Sequence, residues 1–159
     1  MSVAIDAQGI QDLFPEIAEI QDSRLKQGVI DKGSPSAELH GELHVGESDI
    51  VLDKPRFGSF HGTDLELILR SKGIDTIIVS GIATNVCCET TAREANVRDF
   101  RVFFLEDGTA TFGVGALSAE DIQAATCTTL GAFFAQVIST EAMIGRIRGT
   151  SQAAAAAAE

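Results

Sequence analysis

Thr76-Ile77-Ile78-Val79-Ser80-Gly81-Ile82-Ala83-Thr84-Asn85-Val86-Cys87-Cys88 decides the fold. The stretch opens as an unbroken apolar run, breaks at a glycine, and passes into a helical pattern over 84–97. A run of this kind is buried on both faces, as strands of parallel sheets are. Downstream the same alternation repeats. Arg101-Val102-Phe103-Phe104-Leu105 reads as a second buried strand ending at Glu106-Asp107-Gly108, and Ser118 caps a helix reaching about Phe134. Gln136-Val137-Ile138-Ser139 is a third strand, and Thr140 caps a helix over 141–147. Upstream, Thr63–Ser71 is an amphipathic helix with Leu65, Ile68 and Leu69 on one face, stopped at Gly73. Asp49-Ile50-Val51-Leu52 reads as a short strand and Ser36–Leu43 as a short helix. Strand–helix alternation implies right-handed crossovers. The expected fold is α/β: a three-layer α/β/α sandwich with a mainly parallel, Rossmann-like sheet.

The chain has 159 residues, enough for one domain with a real core. It reads as a single domain over 1–150, with 1–33 irregular and an Ala-rich tail over 151–159. The net charge is −11. That sign repels phosphate backbones and anionic lipid heads, so nucleic-acid and membrane partners are not expected. Three cysteines without framework spacing point to a reducing, cytoplasmic setting. The opening MSVAIDAQGI lacks the basic and apolar regions of a signal peptide. No nucleotide-binding glycine fingerprint occurs, and no cofactor is expected.

Ligands of open parallel sheets bind beyond the carboxyl ends of the strands. Three such ends carry reactive residues: Asp53-Lys54, Gly81–Thr84 ahead of Cys87, and Glu106-Asp107. Cys87 falls at a strand-to-helix turn, where helix N–H groups stabilise a thiolate or cradle an oxyanion. The other reading of Cys87 is a small buried hydrophobe. Cys88 points about 100° further round the helix and reads as core, as does Cys127. Lys54 is either a partly desolvated charge partner or an ordinary surface lysine. His61 follows in the same loop, and a Cys–His pair is an alternative mechanism. His40 and His44 have a metal-compatible i,i+4 spacing, but no third ligand stands near, and no metal is expected.

Three segments together resemble the isochorismatase-like cysteine hydrolases. Gly81–Ala95 is similar to that family's nucleophile signature G-x-x-T-x-x-C-V-x-x-T-x-x-x-A, with Cys88 at the usual Val. Lys54–Leu65 is similar to its lysine motif K-x-x-x-S-x-F-x-x-T-x-L, and Leu105–Thr111 to its following strand end, with Gly108 at the usual Ala. The resemblance covers roughly residues 33–147. It implies a set of Asp, Lys and Cys: Cys87 attacks an amide carbonyl, an Asp takes the thiol proton, Lys54 supports the charge, and a thioester is hydrolysed. It also implies a cis peptide at Ile82-Ala83, with the N–H groups of Ala83 and Cys87 forming the oxyanion hole. The isochorismatases that cleave a vinyl ether lack the Cys, so the implied substrate is a small amide or ureido compound.

The family's Asp ends an apolar first strand followed by D-x-Q, which Val3-Ala4-Ile5-Asp6-Ala7-Gln8 resembles. Only 48 positions separate Asp6 from Lys54, and no second buried strand lies between them. Residues 1–33 are therefore read as the variable loop region that precedes the lysine motif, with the family's first strand, helix and second strand missing. Asp6 and an acid outside this sequence are the two readings of the third group. A sheet lacking that strand exposes apolar flanks. The expectation is a chain that is weakly active or inactive and homo-oligomeric or aggregation-prone, with a catalytically impaired binding or interaction protein of the same fold as the alternative.

Overall fold

The computed structural model describes residues 35, 38, 39 and 41–156. The chain divides into two compact units, Met1–Val51 and Leu52–Glu159. Among the described residues of the first, neither expected element forms. Gly41–Leu43 is turn and bend, not helix, and Ile50 and Val51 form no regular element, nor does Leu52 in the second unit. The Asp49 carboxylate accepts the Gly46 N–H at 2.8 Å, while the Asp49 N–H donates to the Gly46 carbonyl. An Asp that satisfies nearby backbone in this way offers an alternative to regular structure. Three apolar residues after an aspartate do not make a strand without a ladder partner, and none pairs with 49–52 among the described residues. His40 lies outside the described residues, and His44 is exposed.

The second unit follows the expected alternation: α1 (Leu65–Ser71), β1 (Thr76–Ile82), a π-helical turn (Thr84–Cys88), α2 (Glu89–Asn96), β2 (Arg101–Ala110), α3 (Ala119–Phe133), β3 (Gln136–Ile138) and α4 (Thr140–Ala156). The three strands are parallel, in the order β1-β2-β3. The side chains of β2 sort the layers. Val102 and Phe104 pack with Ala92 and Ala95 of α2 and Leu130 of α3. Leu105, and with it Phe103, packs against Ile138 and Met143 of α4. Successive strand residues point to opposite faces, so helices cover the sheet on both sides. This is the three-layer α/β/α arrangement.

Two departures bear on the site. β2 continues to Ala110 instead of ending at Leu105: the register slips between Val79 and Gly81, so that Gly81 pairs with Thr109 and Ile82 with Ala110. An irregularity of this kind hides from a period-2 reading, because the extra residues break the alternation. The second departure concerns α4. Its start is held from outside by Asp107, whose Oδ1 accepts from the Thr140 N–H and hydroxyl at 2.7 and 2.8 Å, and by Ser139 Oγ, which accepts from the Ala142 N–H. Thr140 is thus the first helical residue rather than the cap. At α3 the expected cap holds: Ser118 and Asp121 form a reciprocal capping box, a device that contributes on the order of 1 kcal/mol. Among the described residues no helix is long and apolar enough to cross a membrane.

Candidate active site

The nucleophile turn grows directly out of β1. Gly81 adopts φ 119°, a conformation that side-chain-bearing residues rarely reach, and one residue on the Ile82-Ala83 peptide bond is cis. The Ala83 carbonyl then accepts from both the Val86 and Cys88 N–H groups, the second being the i→i+5 bond of the π-turn. Cys87 is thereby placed, half-buried, at the carboxyl end of β1. Beneath it Thr84 is fully buried, its Oγ1 2.6 Å from Gln123 Oε1. The Gln123 amide in turn donates to the Glu106 carbonyl and to Thr109 Oγ1, tying the turn to β2. Thr111 Oγ1 and Asn85 Oδ1, 2.6 Å apart, make a second tie. Beside Ala83 lies an open cleft of about 260 Å³ lined by Ile82, Ala83, Ala110, Thr111 and Phe112.

Lys54 meets the thiol from the loop ahead of α1. Its Nζ lies 3.5 Å from Cys87 Sγ and 3.2 Å from the carbonyls of Arg56 and Phe57, to which it donates. The loop folds back on itself, and two backbone carbonyls orient the ammonium toward the sulfur. Among the described residues Lys54 is the hydrogen-bond partner of that thiol. His61, in the same loop, is exposed.

Two other sequence candidates stand elsewhere. Glu106 and Asp107 lie inside β2, not at its end, and Asp107 serves α4. The Thr140 hydroxyl and N–H bonds hold the Asp107 carboxyl below the usual carboxylate range. Asp6 lies outside the described residues. Sequence reasoning passed over Glu94, which accepts the Phe60 N–H, and Gln123, which donates to the Glu106 carbonyl; Thr91 stands in the nucleophile signature with no role assigned to it there. Thr91 and Glu94 follow Cys87 by four and seven residues, the spacing of one helix face, which was the signal available.

An isochorismatase domain matches residues 8–142. The chain belongs to the isochorismatase family. Within reach of that family it is 37% identical over 115 residues to a protein of Arabidopsis thaliana named Nicotinamidase 3, an alignment covering 71% of this chain and 55% of that protein. It is 46% identical over 76 residues to the isochorismatase family protein YwoC of Bacillus subtilis, covering 48% of this chain and 40% of that one. The chain thus spans about half the length of the curated relatives it matches. A solved cysteine hydrolase from Pseudomonas syringae pv. phaseolicola superposes with a TM-score of 0.72 at 36% identity, covering 88% of this chain and 64% of that structure.

The three thiols of this isochorismatase-family chain differ in a way that chemistry reads directly. Cys88, 4% exposed, is pushed up to about 11, first by burial and then by its neighbour Cys87. The Cys127 thiol is also pushed up, first by burial and then by the Glu106 charge. At neutral pH about one Cys88 in 10⁴ is then thiolate, the reactive form. Cys87 is half-buried and has an ammonium on its sulfur. Iodoacetamide at pH 7 is expected to alkylate Cys87 first, with Cys88 and Cys127 lagging. Peptide mapping by mass spectrometry that finds either of the others modified ahead of it would contradict this order.

Proposed function

We propose that this chain carries the nucleophile and lysine of a cysteine-dependent hydrolase that cleaves an amide or ureido C–N bond of a small molecule through a thioester. The observation that carries the reading is the contact of Lys54 Nζ with Cys87 Sγ at the turn that follows the cis Ile82-Ala83 bond. A thiolate beside an ammonium is held ready to attack. Attack forms the C–S bond and puts negative charge on the carbonyl oxygen, which the N–H groups of Ala83 and Cys87 receive. Collapse breaks the C–N bond, and ammonia or an amine leaves with a proton. Water then adds to the thioester, the C–S bond breaks, and the acid departs from a restored thiol. Proton transfer falls to the Asp that the family resemblance implies, for which Asp6 is the candidate in this sequence. The apolar walls of the neighbouring cleft, Ile82, Ala110 and Phe112, suit an uncharged acyl substituent. The similarity to Nicotinamidase 3 supports a small carboxamide among the substrates.

Ammonia release over a panel of small carboxamides and ureido acids tests this, with Cys87→Ala as control. Release from at least one amide by the parent, lost in Cys87→Ala, is the expected result. Equal release by both would remove the cysteine from the mechanism. Silence across the panel would favour a non-catalytic, ligand-binding role for the fold.

A further inference from the structure

We infer that Glu94 is a positioning residue, whose carboxylate clamps the Gly58–Phe60 loop to the nucleophile's helix and thereby sets Lys54 against Cys87. The inference rests on reading Lys54 and Cys87 as the reacting pair. Residues 87, 91 and 94 lie on one face of the turn and α2, and the loop meets them in order. Lys54 Nζ contacts Cys87 Sγ. One turn on, Thr91 Oγ1 accepts the Ser59 N–H at 3.2 Å and donates to the Cys87 carbonyl at 2.7 Å. A further turn on, Glu94 Oε2 accepts the Phe60 N–H at 3.1 Å.

The fit is close enough to constrain the sequence. Gly58 is buried, and a β-carbon there would overlap the Glu94 carboxylate. That carboxylate is the end of a flexible side chain, but moving it forfeits the Phe60 hydrogen bond. Beyond the clamp the Phe60 ring is buried against Phe100, with centroids 5.6 Å apart, so this end of the loop is anchored in the core. The Lys54 end has no such anchor, since Lys54, Pro55, Arg56 and Phe57 are exposed. Its ammonium is bonded to the carbonyls of Arg56 and Phe57, so it travels with the loop. Thr91 and Glu94 tie that loop to the helix through the backbone N–H groups of Ser59 and Phe60.

The test reads the place of the ammonium without requiring turnover. Alkylation of Cys87 by iodoacetate and by iodoacetamide is followed by peptide mapping, and the ratio of the two rates is taken. A cation at the sulfur favours the anionic reagent, whereas general loosening speeds both alike. Lys54→Met is expected to lower the ratio about fivefold, the scale of one unit charge a few ångströms away in water. Glu94→Ala is expected to fall to the same level, with no further drop in the double variant. Glu94→Gln, whose amide oxygen still accepts from Phe60, is expected to keep the parent ratio. Should Glu94→Ala fail to fold, Gly58→Ala stands in for it, with the same fall expected.

A parent-like ratio in Glu94→Ala, or in Gly58→Ala where it stands in, beside a lowered one in Lys54→Met, overturns the clamp. So does a Glu94→Gln ratio as low as that of Glu94→Ala, which would put the role in the charge instead of the hydrogen bond. A ratio that Lys54→Met leaves unchanged overturns the Lys54–Cys87 pairing and the clamp with it. Failure of the hydrolase reading shows instead as silence in the ammonia assay, with these ratios intact.

Discussion

Lys54→Met is expected to lower turnover of any amide the parent accepts by about 10²- to 10⁴-fold, the usual range for losing a group that acts on the proton or charge of the reacting atom. His61→Ala is expected to leave most of the activity. The contrast follows from placement. The Lys54 ammonium is 3.5 Å from Cys87 Sγ and is oriented by two backbone carbonyls. Methionine keeps the length and apolar stem of the side chain and removes the charge and its three donors, so the loss reports chemistry more than packing. His61 sits seven residues on, exposed, on the stretch of loop between Phe60 and α1. The measurement is kcat/KM for both variants on one substrate. The reverse pattern, with His61 essential and Lys54 dispensable, would establish a Cys–His pair and remove Lys54 from the chemistry.

The strand–helix order over 76–147 was legible because both signals were local and strong. Ile77-Ile78-Val79 and Val102-Phe103-Phe104-Leu105 are continuous apolar runs, and a helical pattern follows each, directly after the first and from the Ser118 cap after the second. Ile50-Val51-Leu52 is an apolar run as long as Ile77-Ile78-Val79, yet no strand forms there among the described residues, because a strand is defined by its neighbour and a pattern cannot supply one. The extension of β2 to Ala110 was hidden for a related reason: pairing of Thr109 and Ala110 with Gly81 and Ile82 depends on a register slip that leaves no mark on either segment alone.

At the site, motif order brought Lys54 and Cys87 to notice although 33 residues separate them. The residues that support this pair did not stand out in the same way. Thr91, Glu94 and Gln123 are ordinary polar residues of helices, and their partners are backbone groups of Ser59, Phe60 and Glu106 that have no signature of their own. Asp107 shows the converse. A carboxylate after an apolar strand invites a catalytic reading, but its geometry binds it to the first residue of α4.

Phe104→Ala is expected to cost about 3–5 kcal/mol, a large share of the ~5–15 kcal/mol that holds a typical domain folded. Phe104 is fully buried on the face of β2 that meets α2 and α3, among Val79, Val102, Ala92, Ala95 and Leu130. The two alanines matter here. Small residues on the helix let it approach the sheet, and the phenyl ring fills the space beside them, so truncating it opens a cavity that Ala92 and Ala95 have no side chains to close. Phe103, one residue earlier, points to the other face and is half-buried beside α4 with the Arg146 guanidinium over its ring. Its truncation removes less buried area and exposes the remainder to water instead of leaving a void, so Phe103→Ala is expected to cost about 1–2 kcal/mol. Urea unfolding measures both: the midpoint should fall much further for Phe104→Ala at an unchanged slope. Equal losses at the two positions would mean that the two faces of β2 are equally packed, against the layer assignment that places α2 and α3 on one side of the sheet and α4 on the other.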